Sequence, residues 1–199
     1  PENSVNADLS LDYELKSGSS AFQAAISIFA ARIQNWILWR PTQFRFWEPE
    51  NISEVFSRGF DFRLGSDFRA GGTRFNALLN YAFTRSTDQS RGSGFAGQLI
   101  YIPVHTSSAY LNLSRQGYYL NWAMSFTGRR YTQPARIDYG ESLNPYLLND
   151  VHAGKSWQTR NFRTGIRFSV YNVFNVSYQA VRSRPMPMRN YEISLNLGI

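Results

Sequence analysis

The chain has 199 residues, a formal net charge of +7, no cysteine, and 43% hydrophobic and 16% aromatic residues, with a mean hydropathy of −0.38. The lack of cysteine excludes disulfides and thiolate metal sites. No apolar run of ~18 residues exists to make a membrane-crossing helix, since the longest candidate, AFQAAISIFAARIQNWILW, is interrupted by Gln23, Ser27, Arg32, Gln34 and Asn35. The positive charge is dispersed over single residues, with Arg129-Arg130 the longest basic run. Such dispersal argues against a nucleic-acid partner.

Read in order, segment after segment alternates apolar and polar side chains with period two, the pattern of a strand with one greasy and one wet face. The first places Ala7, Leu9, Leu11, Tyr13 and Leu15 against Asp8, Ser10, Asp12 and Glu14. The second shows Phe22, Ala24, Ile26, Ile28 and Ala30 on its apolar face. The third, within 52–68, sets Phe60, Phe62 and Leu64 against Asp61 and Arg63, and the fourth, within 73–86, sets Phe75, Ala77, Leu79, Tyr81 and Phe83 against Asn76, Asn80 and Thr84. Ala109, Leu111 and Leu113 mark a fifth, and Leu120, Trp122, Met124 and Phe126 a sixth. The seventh is the least regular, with Val151, Ala153 and Trp157 opposed by His152 and Ser156. Phe162, Ile166, Phe168 and Val170 define the eighth, and NYEISLNLGI at 190–199 the ninth.

The connections alternate as well. KSGSS, RAGG, RQG and QTRN are tight turns, while roughly 38–51, 87–104, 132–146 and 174–187 are long. Outer-membrane barrels have this asymmetry, with short turns on the periplasmic side and long loops outside. Most segments also sustain the ~9 to 11 residues that a tilted strand needs to cross a bilayer. Aromatic residues gather at both ends: Trp36, Trp39 and Tyr131 near the long loops, and Tyr13, Phe22, Tyr118, Trp157 and Phe162 near the turns. Interfacial girdles have this layout. The predicted fold is therefore an all-β, antiparallel transmembrane β-barrel of about nine strands. An odd count would pair the first and last strands in parallel, so the chain is expected to be part of a larger barrel. A passive porin-like barrel and a soluble carbohydrate-binding sandwich are the alternatives that this alternation leaves open.

Several stretches then resemble one family. PENSVNADLSLDYEL is similar to the opening of one barrel strand, RIQNWILWRP with FWEPENISEVFSRGFDFRL to a W-I…W-P-N hairpin, SFTGRRYT to a strand ending in G-R-Y, and FSVYNVFNVSYQAVRSRPMPMRNYEISLNLGI to a final V-N-L-F…P-R-Y hairpin. Together they resemble the TonB-dependent transporters of the Gram-negative outer membrane. One departure is Ile199, where such barrels usually end on an aromatic residue. The resemblance implies the C-terminal portion of a barrel of about 22 strands, with residues 1–199 holding the last nine. It also implies a plug domain and N-terminal strands that are absent from this sequence. The plug would carry the contact with an inner-membrane energy-coupling protein. The implied activity is active uptake of a bulky scarce nutrient such as a siderophore, cobalamin or haem, with outer-membrane lipid as surroundings.

For chemistry, the two histidines, His105 and His152, lack a companion carboxylate pattern, so no enzyme, cofactor or metal site is expected. GSGFAG at 92–97 reads as a loop, and the N-x-S matches at Asn51, Asn112 and Asn175 read as chance. A polar row of Asp8, Asp12, Glu14, Asp61, Arg63, Asn76, Asn80, Arg163, Arg167, Glu192 and Asn196 is expected to line the lumen. Ligand contacts are expected instead from RPTQFRFWEPEN, where Arg40, Phe44, Arg45, Phe46 and Trp47 place aromatic plates beside cationic donors, suited to a large anionic or aromatic ligand.

Overall fold

The structure is a computed structural model describing residues 2–41, 46–89, 97–133, 141–160 and 162–198. Nine strands form one sheet: β1 Asn3–Ser17, β2 Ser20–Pro41, β3 Trp47–Ala70, β4 Thr73–Asp88, β5 His105–Arg115, β6 Tyr118–Thr127, β7 Tyr146–Gln158, β8 Arg163–Tyr171 and β9 Asn190–Gly198. Each pairs antiparallel with its neighbours in sequence, and the sheet stays open, with β1 and β9 as its edges. Among the described residues there is no helix.

The tight turns follow from backbone chemistry. Ala70 faces Thr73 across Gly71-Gly72, with φ of 55° and 78°, and Arg115 faces Tyr118 across Gln116-Gly117, with φ of 50° and 81°. Two successive left-handed residues make the turn whose twist matches an antiparallel pair, and glycine takes that conformation without strain.

The register carries the alternation across the whole sheet. One row runs Leu15–Phe22–Ser66–Ala77–Leu111–Trp122–Val151–Val170–Tyr191, and another, three rows further out on the same face, runs Leu9–Ile28–Phe60–Phe83–His105. On this face large apolar side chains stand in the open, Leu9 at 73% and Leu195 at 78% exposure. From Phe60 to Phe68 the apolar band on β3 covers about 26 Å along the strand, or about 20 Å along a barrel axis at ~40° tilt, the scale of the ~25 Å band of outer-membrane barrels. Its turn-side border carries Tyr13, Phe22, Tyr118, Trp157 and Phe162, all exposed, with Phe68 stacked on Phe75 at 4.8 Å. Lys155 also lies there, its ammonium 2.6 Å from the Tyr118 hydroxyl and 4.1 Å above that ring.

The outer ends depart from the sequence-based expectation. The stretch 38–51 is largely strand: the β2–β3 ladder skips Asn35, at φ 57°, and Ser53, then resumes from Trp36↔Ile52 to Pro41↔Trp47. Aromatic and β-branched residues on both arms favour continued pairing there. Residues 97–104 fold back along the free outer end of β4, with Leu99 N–H donating to Ser86 O and Thr84 N–H to Val104 O. Leu99 thereby joins Ile52 and Val55 in a buried cluster flanked by Ile33, Trp36 and Ile102. Trp36 is thus a packing residue rather than a member of an interfacial girdle. Its companion Trp39 is exposed, and Tyr131 sits in a short ribbon, Arg130–Tyr131 paired with Ser142–Leu143.

Candidate functional site: the polar face and the outer loops

The register puts the whole predicted polar row on one face, opposite the apolar rows. Its members are joined across strands. Ser10 and Ser27 hydroxyls are 2.7 Å apart, and Gln23 donates to Glu14 at 3.1 Å. Arg63 donates to Asn80, which donates to Ser108. Arg74 pairs with Asp67 at 2.7 Å. Glu192 accepts from Ser194 at 2.6 Å, Arg167 at 3.3 Å and Tyr171 at 3.4 Å. Asp12, Ser27, Asp61, Arg63, Asn80 and Ser125 share the lining of a cavity of about 650 Å³ over the middle of this face. Among the described residues Asp8, Asp12 and Asp61 have no ion-pair partner. Such a surface is hydrated and able to bind polar groups, while a bilayer core would reject it.

Two aromatic residues on this polar face are explained by glycine. Phe29 lies opposite Gly59 and Tyr119 opposite Gly154. A Cβ on Gly59 would meet the Phe29 ring and overlap the Phe83 carbonyl, and one on Gly154 would overlap the Tyr119 hydroxyl. Each ring covers the flat backbone that the glycine leaves, a known way to shield a glycine in a sheet.

At the long-loop end, two connections are clasped together. Arg130, 5% exposed, donates to the carbonyls of Ala180 (2.9 Å) and Gln179 (2.8 Å), and its guanidinium lies 5.1 Å over the Tyr146 ring. Tyr146 contacts Tyr178 at 4.6 Å between ring centres, and Arg182 forms a two-armed ion pair with Glu141, one arm 2.7 Å long. Burial, with Tyr146 and Asp150 nearby, holds the Tyr178 hydroxyl above its ordinary pKa. A cavity of about 510 Å³ opens beside this clasp, lined by Asn144, Tyr146, Ser177, Tyr178, Gln179 and Arg182 among others. None of these residues was singled out by sequence reasoning, because they lie in irregular connections without period. The arginine in GRRY and the tyrosines at 146 and 178 were the available signal.

The residues expected to contact ligand are partly placed. Arg40 faces Glu48 and Pro41 faces Trp47 at the tip of the β2–β3 hairpin. Phe44 and Arg45 lie outside the described residues. Phe46 is exposed, and Trp47 contacts Tyr101 of the β4–β5 connection at 5.8 Å, so Trp47 has a partner within the protein. Of the histidines, His105 shares a 2.8 Å hydrogen bond with the Tyr81 hydroxyl and His152 meets Tyr171 edge-on. Among the described residues no group of three or more His, Cys, Asp or Glu is arranged to hold a metal.

A family model described as "TonB dependent receptor-like, beta-barrel" matches residues 1–176. The chain belongs to this family. Like its members, this receptor chain resides in the outer membrane of a Gram-negative bacterium, so its apolar rows face lipid and its polar face looks into the barrel. Solved structures of similar fold include the ferric-catecholate import receptor Fiu from E. coli K12 (14% identity, TM-score 0.69, 99% of this chain and 27% of that one). Others are the siderophore receptor PirA from Acinetobacter baumannii (18%, 0.67, 98% and 31%) and the FrpB iron transporter from Neisseria meningitidis (18%, 0.61, 98% and 31%). The receptor chain thus spans less than a third of the length of these structures. No curated protein sequence matches it.

Proposed function

We propose that the receptor chain is the C-terminal part of the wall and outer loops of a TonB-dependent transporter that takes up a bulky iron complex of the siderophore type. The supporting observation is the pairing of a continuous polar face with an exposed apolar one in a chain that matches the receptor barrel over residues 1–176. In this reading the remaining strands and a plug domain come from polypeptide outside these residues, and the plug engages the inner-membrane energy-coupling protein. The lumenal acids Asp8, Asp12 and Asp61 would receive cationic groups of the plug by charge-assisted hydrogen bonds. Ligand would be captured first at the β2–β3 hairpin by Arg40, Phe44, Arg45, Phe46 and Trp47, and delivered to the lumen without covalent chemistry.

Uptake assays on a strain lacking the full-length gene test this. Complementation should restore accumulation of a labelled ferric siderophore under iron limitation, a protonophore should abolish it, and removal of residues 42–46 should lower it several-fold. Accumulation indifferent to the protonophore would indicate a passive pore. Competition by unlabelled cobalamin or haem instead of ferric siderophore would reassign the substrate.

A further inference from the structure

On the lipid face, one row above the stacked pair Phe60 and Phe83, the apolar band gives way to arginine. The row reads Ala7–Ala30–Arg58–Arg85, so two arginines stand directly opposite one another. The next row outward contributes Arg32, between Val5 and Phe56. Arg32 is neutralised by Glu54 at 2.8 Å. Arg58 and Arg85 are exposed, and among the described residues neither has an ion-pair partner. The guanidinium of Arg58 lies 5.4 Å from the Phe56 ring centre, which holds it on this outward face.

Directly opposed like charges destabilise a strand pair, with Cβ atoms only ~5 Å apart, unless an anion lies between them. The level of the row indicates which anion is at hand. It lies at the long-loop end of the band, immediately outside the apolar rows, where the headgroups of the outer leaflet lie. At the opposite border Lys155 faces Tyr118 and Ile166 rather than a second cation, and lies 4.1 and 5.5 Å from the Tyr118 and Trp157 ring centres. Arginine's planar fork suits two-pronged contact with a phosphate.

We propose that Arg58 and Arg85, flanked by Arg32, form a binding site for the phosphate group of an anionic outer-leaflet lipid, whose acyl chains lie down the Phe60–Phe83 and Phe62–Tyr81 rows. The lipid acts as a clamp that cancels the repulsion across β3 and β4 at the membrane border. Native mass spectrometry of the full-length receptor, titrated in detergent with bis-phosphorylated lipid A, tests it. Wild type should bind, and R58Q/R85Q should bind roughly tenfold to a hundredfold more weakly, as expected for two charge-assisted contacts. An R63Q/R163Q variant, which loses the same charge from the lumenal face, should bind as wild type does. Dephosphorylated lipid should bind wild type as weakly as the phosphorylated form binds R58Q/R85Q. This comparison decides alone if the variant does not insert. Equal binding by the R58Q/R85Q variant or by dephosphorylated lipid overturns the proposal, as does displacement of the lipid by an equal concentration of inorganic phosphate.

Discussion

Between the tight turns and the row of Phe60 and Phe83, the environment of a residue follows from whether its number is odd or even along its strand. Beyond the row of Arg32 and Phe56, two rows further out, it does not. There Trp36 turns into a cluster with Val55 and Leu99, and Arg130 is buried under the connection between β8 and β9. The two regions obey different constraints. In the band the backbone groups of the interior strands β2 to β8 are paired within the sheet and the side chains meet only lipid on one side and the lumen on the other, so period two suffices. At the outer end water is available, connections are long, and packing is three-dimensional, so the residues that hold it are scattered along the chain.

The contrast is broken most forcefully by placing charge in the band. Leu79→Arg, on the lipid face of β4, should cost the full-length receptor about 2 to 4 kcal/mol in denaturant unfolding from vesicles, whereas Ala82→Arg, on the lumenal face of the same strand and opposite Asp61, should cost well under about 1. Equal costs would mean that the faces are misassigned. Gly59 sits on the lumenal face beside Phe60, at the outer end of the band. Gly59→Val would drive a side chain into the Phe83 carbonyl and the Phe29 ring, and should destabilise by about 2 to 3 kcal/mol with the β2–β4 strands opening first in hydrogen exchange.

Two gentler changes sharpen the outer region. Arg130→Met leaves the carbonyls of Gln179 and Ala180 unmet, a loss of about 1 to 3 kcal/mol. It should appear as faster amide exchange at 177–185 with the unfolding midpoint of the barrel unchanged. A shifted midpoint would show that the clasp is part of the barrel's cooperative unit. The smallest effect is the titration of Tyr178. Its hydroxyl is held above the ordinary tyrosine value by burial, so the folded clasp favours the protonated form. The clasp keeps its full stability below about pH 10 and loses it as pH rises through the elevated value. Exchange at 177–185 should therefore quicken only on the alkaline side, and Tyr178→Phe should flatten that response.

The same division explains what was legible in the sequence. The strand faces, the turn positions at Gly71-Gly72 and Gln116-Gly117 and the lumenal row could be read residue by residue, because alternation and left-handed turn residues are local signals. Strand length at the outer end could not: the polar and proline residues of WRPTQFRFWEPEN look like a loop, yet Trp36 to Pro41 pair with Trp47 to Ile52. Cross-strand pairing there depends on a partner that single-strand reading does not see. The clasp of Arg130, Tyr146 and Tyr178 brings together residues from three separate segments, so no spacing announces it. The opposition of Arg58 and Arg85 likewise exists only once the register is known.

The central claim is that one face of this sheet meets lipid and the other meets water. Residues 1–199 contain no cysteine, and with any cysteine elsewhere in the full-length receptor replaced by serine, single cysteines at each of residues 76–83 can carry a nitroxide in the receptor reconstituted in vesicles. Collision with dissolved oxygen should peak at Ala77, Leu79, Tyr81 and Phe83, and collision with a water-soluble nickel chelate at Asn76, Leu78, Asn80 and Ala82. A period of two with these opposite phases is the predicted result, and uniform access of the nickel chelate to all eight positions would contradict it.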